Sequence, residues 1–274
     1  MSRIKGIEIK YPQRSEEWHS ARRGAVTGSN AKVVIRDVSA TARDQAIRKL
    51  LNVKTLTPKV KMSHLYLGLL EKNPKDLLQL AQIPIPETMG RLQYRRTRVA
   101  ERLTGISNDE NTFVTKEMQW GQVNERLAVA KYQMITGNRV TEAFFMLHPE
   151  IRCGASPDGN VTDSRTGEIG VLEVKCLESH NHMYKILRTQ KMPQDYFVQV
   201  QMEMWLSDVD FCDFVAYDSR LPGKLDVFIK RIPRDNNFID TVLEPEIRVF
   251  LEETDRDERL FRMLVRKGFE FELT

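Results

Sequence analysis

Apolar residues recur along this chain at two spacings, and the change from one to the other divides it. In the first part the spacing is helical. Ser15, followed by Glu16 and Glu17, opens a short helix through Arg22; Gly24 ends it, and Thr27 or Ser29 caps a second helix running to about Arg36. Residues 40–53, about 63–81 and about 87–104 also fit helices, with Pro58, Pro74, Pro84 and Pro86 as punctuation. A longer helix over about 115–136 is stopped by Gly137. On it Trp120, Val123, Leu127, Ala130 and Met134 make one apolar stripe, with Glu125 nearly opposite. The face of Glu125 also carries Met118, Gly121, Ala128, Tyr132 and Ile135, so the helix is expected to be covered on two sides.

Beyond Gly137 the runs become short, β-branched and split by turn residues. NRVTEAFFMLHP (138–149), RCGASPDGNVTD (152–163) and GEIGVLEVKC (167–176) predict three strands in meander order. Two helices (about 180–190 and 194–207), strands near 211–218 and 225–232, and a charged helix from about 236 to 266 follow. Strands between helices predict an α/β fold, a central mixed sheet with helices on both sides and an N-terminal helical elaboration.

Composition narrows the class. At 274 residues and 41% hydrophobic content, without repeats or low-complexity runs, the chain can bury one large core, and a single domain over 1–274 is expected. No stretch reaches the roughly twenty apolar residues that span a bilayer, and MSRIKGIEIK lacks a signal-peptide core; a cytoplasmic protein without membrane partners is expected. Cys153, Cys176 and Cys212 stand apart with no CxxC, which excludes a disulfide framework and a four-ligand zinc or iron–sulfur site. Buried, reduced thiols are expected instead. The net charge of +4 is uneven: residues 1–110 hold 21 Lys and Arg against 11 Asp and Glu, the remainder 21 against 27. That division suits a protein that grips a polyanion with one region and metal ions with another.

The candidate chemistry begins at GVLEVKC. Strand side chains alternate, so Val171, Glu173 and Lys175 share one face and Leu172, Val174 and Cys176 the other. A structural ion pair and a nuclease metal site both explain an acid and a base on a buried strand. SPDG (156–159) alone is an ordinary type I turn, but a tight antiparallel connection would bring Asp158 beside Glu173. Two carboxylates suit Mg²⁺, and Lys175 supplies a positive charge for a phosphodiester. Glu125 offers a third carboxylate. In DYFVQVQMEMWL (195–206), apolar almost all round, Gln199, Gln201 and Glu203 need partners; backbone-satisfied amides explain at least one, and a glutamine reaching the metal or the phosphate is the alternative. The contiguous HNH at 180–182 reads as a helix start or groove lining, His19 as a packed or surface histidine, and YRRTR at 94–98 as a solvated helix face, with a phosphate-contacting role as the alternative.

Four blocks in order, EWHSARRGAVTGSNAKVVI (17–35), QWGQVNERLA (119–128), CGASPDGNV with VLEVKC (153–176) and YFVQVQMEMW with FVAYDSR (196–220), resemble the lambda exonuclease (YqaJ-type viral recombinase) family of the PD-(D/E)XK nuclease superfamily. The resemblance implies a restriction-endonuclease-like core over about 113–235, with 40–112 as a helical insertion of unknown role. It implies that Asp158 and Glu173 bind metal with Glu125, that Lys175 is the catalytic lysine, that Gln199 lies at the active site, and that Arg22 and Ser29, with Thr27, bind a 5′-terminal phosphate. The implied protein is a two-metal, Mg²⁺-dependent 5′→3′ exonuclease on ends of linear double-stranded DNA, with Mn²⁺ as substitute. It would be a phage-encoded homotrimer in the bacterial cytoplasm, passing a 3′ single strand to a single-strand annealing protein. A structure-specific endonuclease or nickase, or an inactive DNA-binding protein, are the alternatives on the same core.

Overall fold

The computed structural model describes residues 4–13, 15–36, 87–108, 116–177 and 179–267. The expected helices at 40–53 and 63–81, and most of the 40–112 insertion, lie outside these residues. The chain divides into two units, Met1–Val34 with Arg95–Thr274, and Ile35–Tyr94. Of the second, 35–36 and 87–94 are described, the latter entering a helix.

The larger unit begins with β1 (Ile7–Ile9), α1 (Glu16–Arg22) and β2 (Val26–Thr27). Ser15 caps α1 by accepting from the Trp18 N–H at 3.2 Å, and Gly24, at φ +67°, turns the chain out of it. A 3₁₀ turn (Gly28–Asn30) leads into α2 (Ala31–Val34). Next come α3 (Met89–Thr104), α4 (Lys116–Thr136), β3 (Arg139–Thr141), β4 (Phe145–Leu147), β5 (Cys153–Ala155), β6 (Gly159–Thr162) and β7 (Ile169–Cys176). Helices α5 (His180–Thr189) and α6 (Phe197–Ser207) cross over to β8 (Phe211–Tyr217), β9 (Val227–Pro233) and α7 (Glu244–Lys267). A π-turn at Ile239–Leu243 feeds α7.

The strands form two sheets, β1-β4-β5-β2 and β3-β6-β7-β8-β9. Both are mixed: β6 and β7 pair antiparallel (Gly159 opposite Leu172), β7 and β8 parallel (Glu173 opposite Phe214), and β2 runs parallel to β5. The parallel β7–β8 pair requires the helical crossover that α5 and α6 provide. The expected α/β fold with a PD-(D/E)XK-like core is therefore present. The three-strand meander is corrected to five strands in two sheets: 138–149 and 152–163 each break in the middle, and the halves join different sheets. Pro157 donates no N–H, so SPDG parts β5 from β6 as well as turning the chain.

Central strand β7 is packed on both faces. Leu172 and Val174 meet Ala128 and Tyr132 of α4, whereas Val171 meets Val200 and Met204 of α6. Each such aliphatic side chain contributes about 1.5–3 kcal/mol by burial. The stripe expected to be covered on α4 is not: Val123, Leu127 and Met134 are exposed, and the covered face is that of Asn124, Ala128 and Tyr132. Of the cysteines, Cys153 and Cys212 are buried and Cys176 is half-buried, none in a disulfide. YRRTR is not a solvated face either, because Arg98 bonds Glu101 and the Ala25 carbonyl while Arg95 pairs with Asp257 and Glu253 of α7. No helix among the described residues is long and apolar enough to cross a membrane.

Candidate active site

The β6–β7 hairpin brings Asp158 and Glu173 together. The Asp158 N–H donates to the Leu172 carbonyl at 2.9 Å, and its carboxylate Oδ2 accepts the Val174 N–H at 2.7 Å. A side chain at the head of β6 is thus clamped to the middle of β7. Glu173, 1% exposed, points to the α6 face beside Val171, as alternation dictates. Its Oε1 is ion-paired with Lys175 Nζ and accepts from Gln199 Nε2 at 2.7 Å.

Gln199 also donates to Glu203 Oε1 at 2.9 Å, one turn along α6, so a single amide bridges two carboxylates. Gln201, by contrast, is satisfied by backbone: it donates to the Pro233 carbonyl and accepts from the Asp235 N–H. Glu203 is 1% exposed and completes a row of acids that sequence reasoning assigned only in part. The available signal was a glutamate one turn after Gln199 on a helix otherwise apolar almost all round.

Electrostatics bind the row together. Burial, then the charge of Glu173, push Asp158 well above the usual carboxylate range, with Glu125 of α4 adding to the effect. Burial and the charges of Glu173 and Asp158 do the same to Glu203. For Lys175 burial acts downward, but Glu173 and Asp158 outweigh it and hold its pKa above the ordinary lysine value, so the ammonium stays charged. Burial, then Glu125 and Asp158, also push the Cys176 thiol up to about 12, which keeps it protonated. Among the described residues no three Asp, Glu, His or Cys side chains already cage one point. Magnesium-type sites do not require this, because water and phosphate oxygens complete their shells.

The Gly28–Asn30 turn packs against Gln199; a Cβ placed on Gly28 would lie 3.8 Å from its Cγ. Ser29 is exposed on this turn, whereas Thr27 is buried with its hydroxyl accepting from Asn30. Arg22 closes α1, its guanidinium 4.0 Å above the Trp18 ring and 5.6 Å from that of Phe145. Neighbouring Arg23 instead lines a separate cavity of about 420 Å³ with Arg102 and Arg152. Beside Lys175, whose Nζ is 5.2 Å from the Tyr196 ring, opens a cleft of about 490 Å³ lined by Tyr196, His182, Lys185 and Lys191. His19 packs edge-on against Trp18.

A model of the YqaJ-like viral recombinase domain matches residues 17–210. Among solved structures, an alkaline exonuclease from Laribacter hongkongensis is 28% identical over 92% of this chain and 99% of its own, with a TM-score of 0.66. A structure of that enzyme in complex with dAMP matches equally. A phage related exonuclease from Haemophilus somnus 129PT shares the fold at 14% identity, with 88% and 96% of the two chains covered and a TM-score of 0.56. No curated protein matches the chain.

Proposed function

The chain belongs to the YqaJ-like viral recombinase family, whose model covers most of its length, and on that premise we propose that it is a Mg²⁺-dependent 5′→3′ exonuclease. Its substrate is the end of linear double-stranded DNA, and its product a 3′ single strand for an annealing protein in recombination. The observation that carries this reading is the convergence of Asp158, Glu173, Lys175 and Gln199 at the junction of β6, β7 and α6. The names of the solved relatives support it, as does the dAMP complex, since a deoxynucleoside monophosphate is what an exonuclease releases.

Asp158, Glu173 and Glu125 would hold the divalent ion. The fit rests on Glu173 Oε2, buried without a hydrogen-bond partner, and on acids whose charged forms burial and mutual repulsion disfavour. When bound, the metal supplies Lewis acidity toward the phosphate and acidifies a water. Lys175, held cationic at the open edge of the site, offsets charge building on the scissile phosphate. Gln199 fixes the Glu173 carboxylate, so little reorganisation accompanies the chemistry. Ser29 on its turn, with Arg22, serves the 5′-terminal phosphate, and the cleft beside Tyr196 gives a nucleotide an aromatic wall and two lysines.

The test uses linear duplex with 5′-phosphate or 5′-hydroxyl ends beside closed circular duplex, in Mg²⁺ and in EDTA, with each strand end labelled in turn. Metal-dependent loss of the 5′-phosphorylated strand with circles spared is expected. Cut circles would replace the reading with an endonuclease, and no cleavage would leave a DNA-binding protein.

A further inference from the structure

Glu203 has no part in the assignments above, yet it stands in the same buried row. Its Oε1 and Glu173 Oε1 share the Nε2 group of Gln199, at 2.9 and 2.7 Å. That amide has two N–H groups, and both are engaged. Oε2 of Glu203 and Oε2 of Glu173 are both buried with no hydrogen-bond donor, in two side chains each 1% exposed. One unpartnered carboxylate oxygen in a protein interior is costly, and two on side chains bridged by one amide make a place for a cation.

Two carboxylates, with water and phosphate oxygens, suffice for an ion of the magnesium type.

We propose that Glu203, together with Glu173, holds a divalent cation on the α6 side of the site, as a ligand additional to Asp158 and Glu125. The proposal rests on the nuclease reading above. It is tested by calorimetric titration of the full chain with Mn²⁺, without DNA, for the wild type, Glu203→Gln and Asp158→Asn. Glu203→Gln keeps an oxygen for the Gln199 N–H and removes the charge; its Mn²⁺ affinity is expected to fall about tenfold or more, or one bound ion to be lost. If Glu203→Gln titrates like the wild type while Asp158→Asn loses binding, the nuclease reading stands and this proposal fails. A wild type that neither binds Mn²⁺ nor cleaves DNA overturns both. Glu203→Asp, which keeps the charge, is expected to bind more tightly than Glu203→Gln; equal weakening by the two would assign the effect to packing and overturn the proposal.

Discussion

A methyl group added at Gly154 would stand 2.1 Å from Phe145 Cζ, with Cε1 and Cε2 at 2.7 and 2.8 Å. Ordinary carbon contacts lie at about 3.5–4.0 Å, so the ring would have to withdraw by roughly 1.4 Å. Phe145 is fully buried, and β5 is hydrogen-bonded to both β4 and β2, so the strands cannot part to make room. Overpacking of this kind costs about 1–3 kcal/mol, and the rigid surroundings place Gly154→Ala at the upper end. In a chain of this size that lowers the melting temperature by roughly 6–12 °C. The assay is a double-mutant cycle of Gly154→Ala, Phe145→Leu and the pair, followed by urea denaturation. The smaller side chain is expected to relieve the clash, leaving the double variant about 1–3 kcal/mol more stable than additivity allows. Because the Arg22 guanidinium lies over the same ring, Gly154→Ala should also raise the KM for 5′-phosphorylated ends more than it lowers kcat. A Gly154→Ala protein within about 0.5 kcal/mol of the wild type, or strictly additive variants, would refute the reasoning.

Glu173→Gln and Lys175→Ala are expected to abolish cleavage while melting near the wild-type temperature; cleavage retained in both would remove them from the chemistry. Arg22→Ala should erode the preference for 5′-phosphate over 5′-hydroxyl ends, measured as a ratio of kcat/KM values, and an unchanged ratio would exclude it from that role. Tyr132→Phe removes a hydroxyl that donates to Asp213 at 2.5 Å and accepts from Asn138 at 2.7 Å, and should cost about 1.5–3 kcal/mol by urea denaturation, with a loss below about 0.5 kcal/mol contradicting the network. Asp158 and Glu203 bind protons more tightly folded than unfolded. Their contribution to stability in EDTA therefore falls as pH rises from the ordinary carboxylate range through their raised values. Asp158→Asn should flatten the wild-type decline in melting temperature over that window, and parallel pH curves would contradict the assigned direction.

The hairpin that makes the site was legible because its determinants are local. A period-two strand and the tight turn at 163–168 that leads into it specify both the pairing of Gly159 with Leu172 and the face that Glu173 occupies. Helix α4 shows the limit of periodicity. The apolar stripe of Val123, Leu127 and Met134 is real, but a pattern on one helix does not say which side the sheet will cover, and Tyr132 can be buried because Asp213, far along the chain, receives its hydroxyl. The division into two sheets was hidden for a related reason. Strands of two to four residues, such as β1, β2, β3 and β5, carry too little pattern of their own and are specified by partners remote in sequence. Glu203 escaped assignment because its meaning comes from the amide one turn away and the strand beneath it.

The arginines of α3 alter the meaning of the uneven charge along the chain. Arg95 pairs with Asp257, and Arg102 with Asp255 and Glu258, across more than 150 residues, so part of the basic excess of the first region is neutralised inside the fold by the acids of the last. During synthesis α3 leaves the ribosome long before α7 exists to meet it, and its cations face solvent until the later helix docks. A nascent or truncated chain would thus attract polyanions more than the finished protein does, and closing this clasp weakens that general attraction for phosphate.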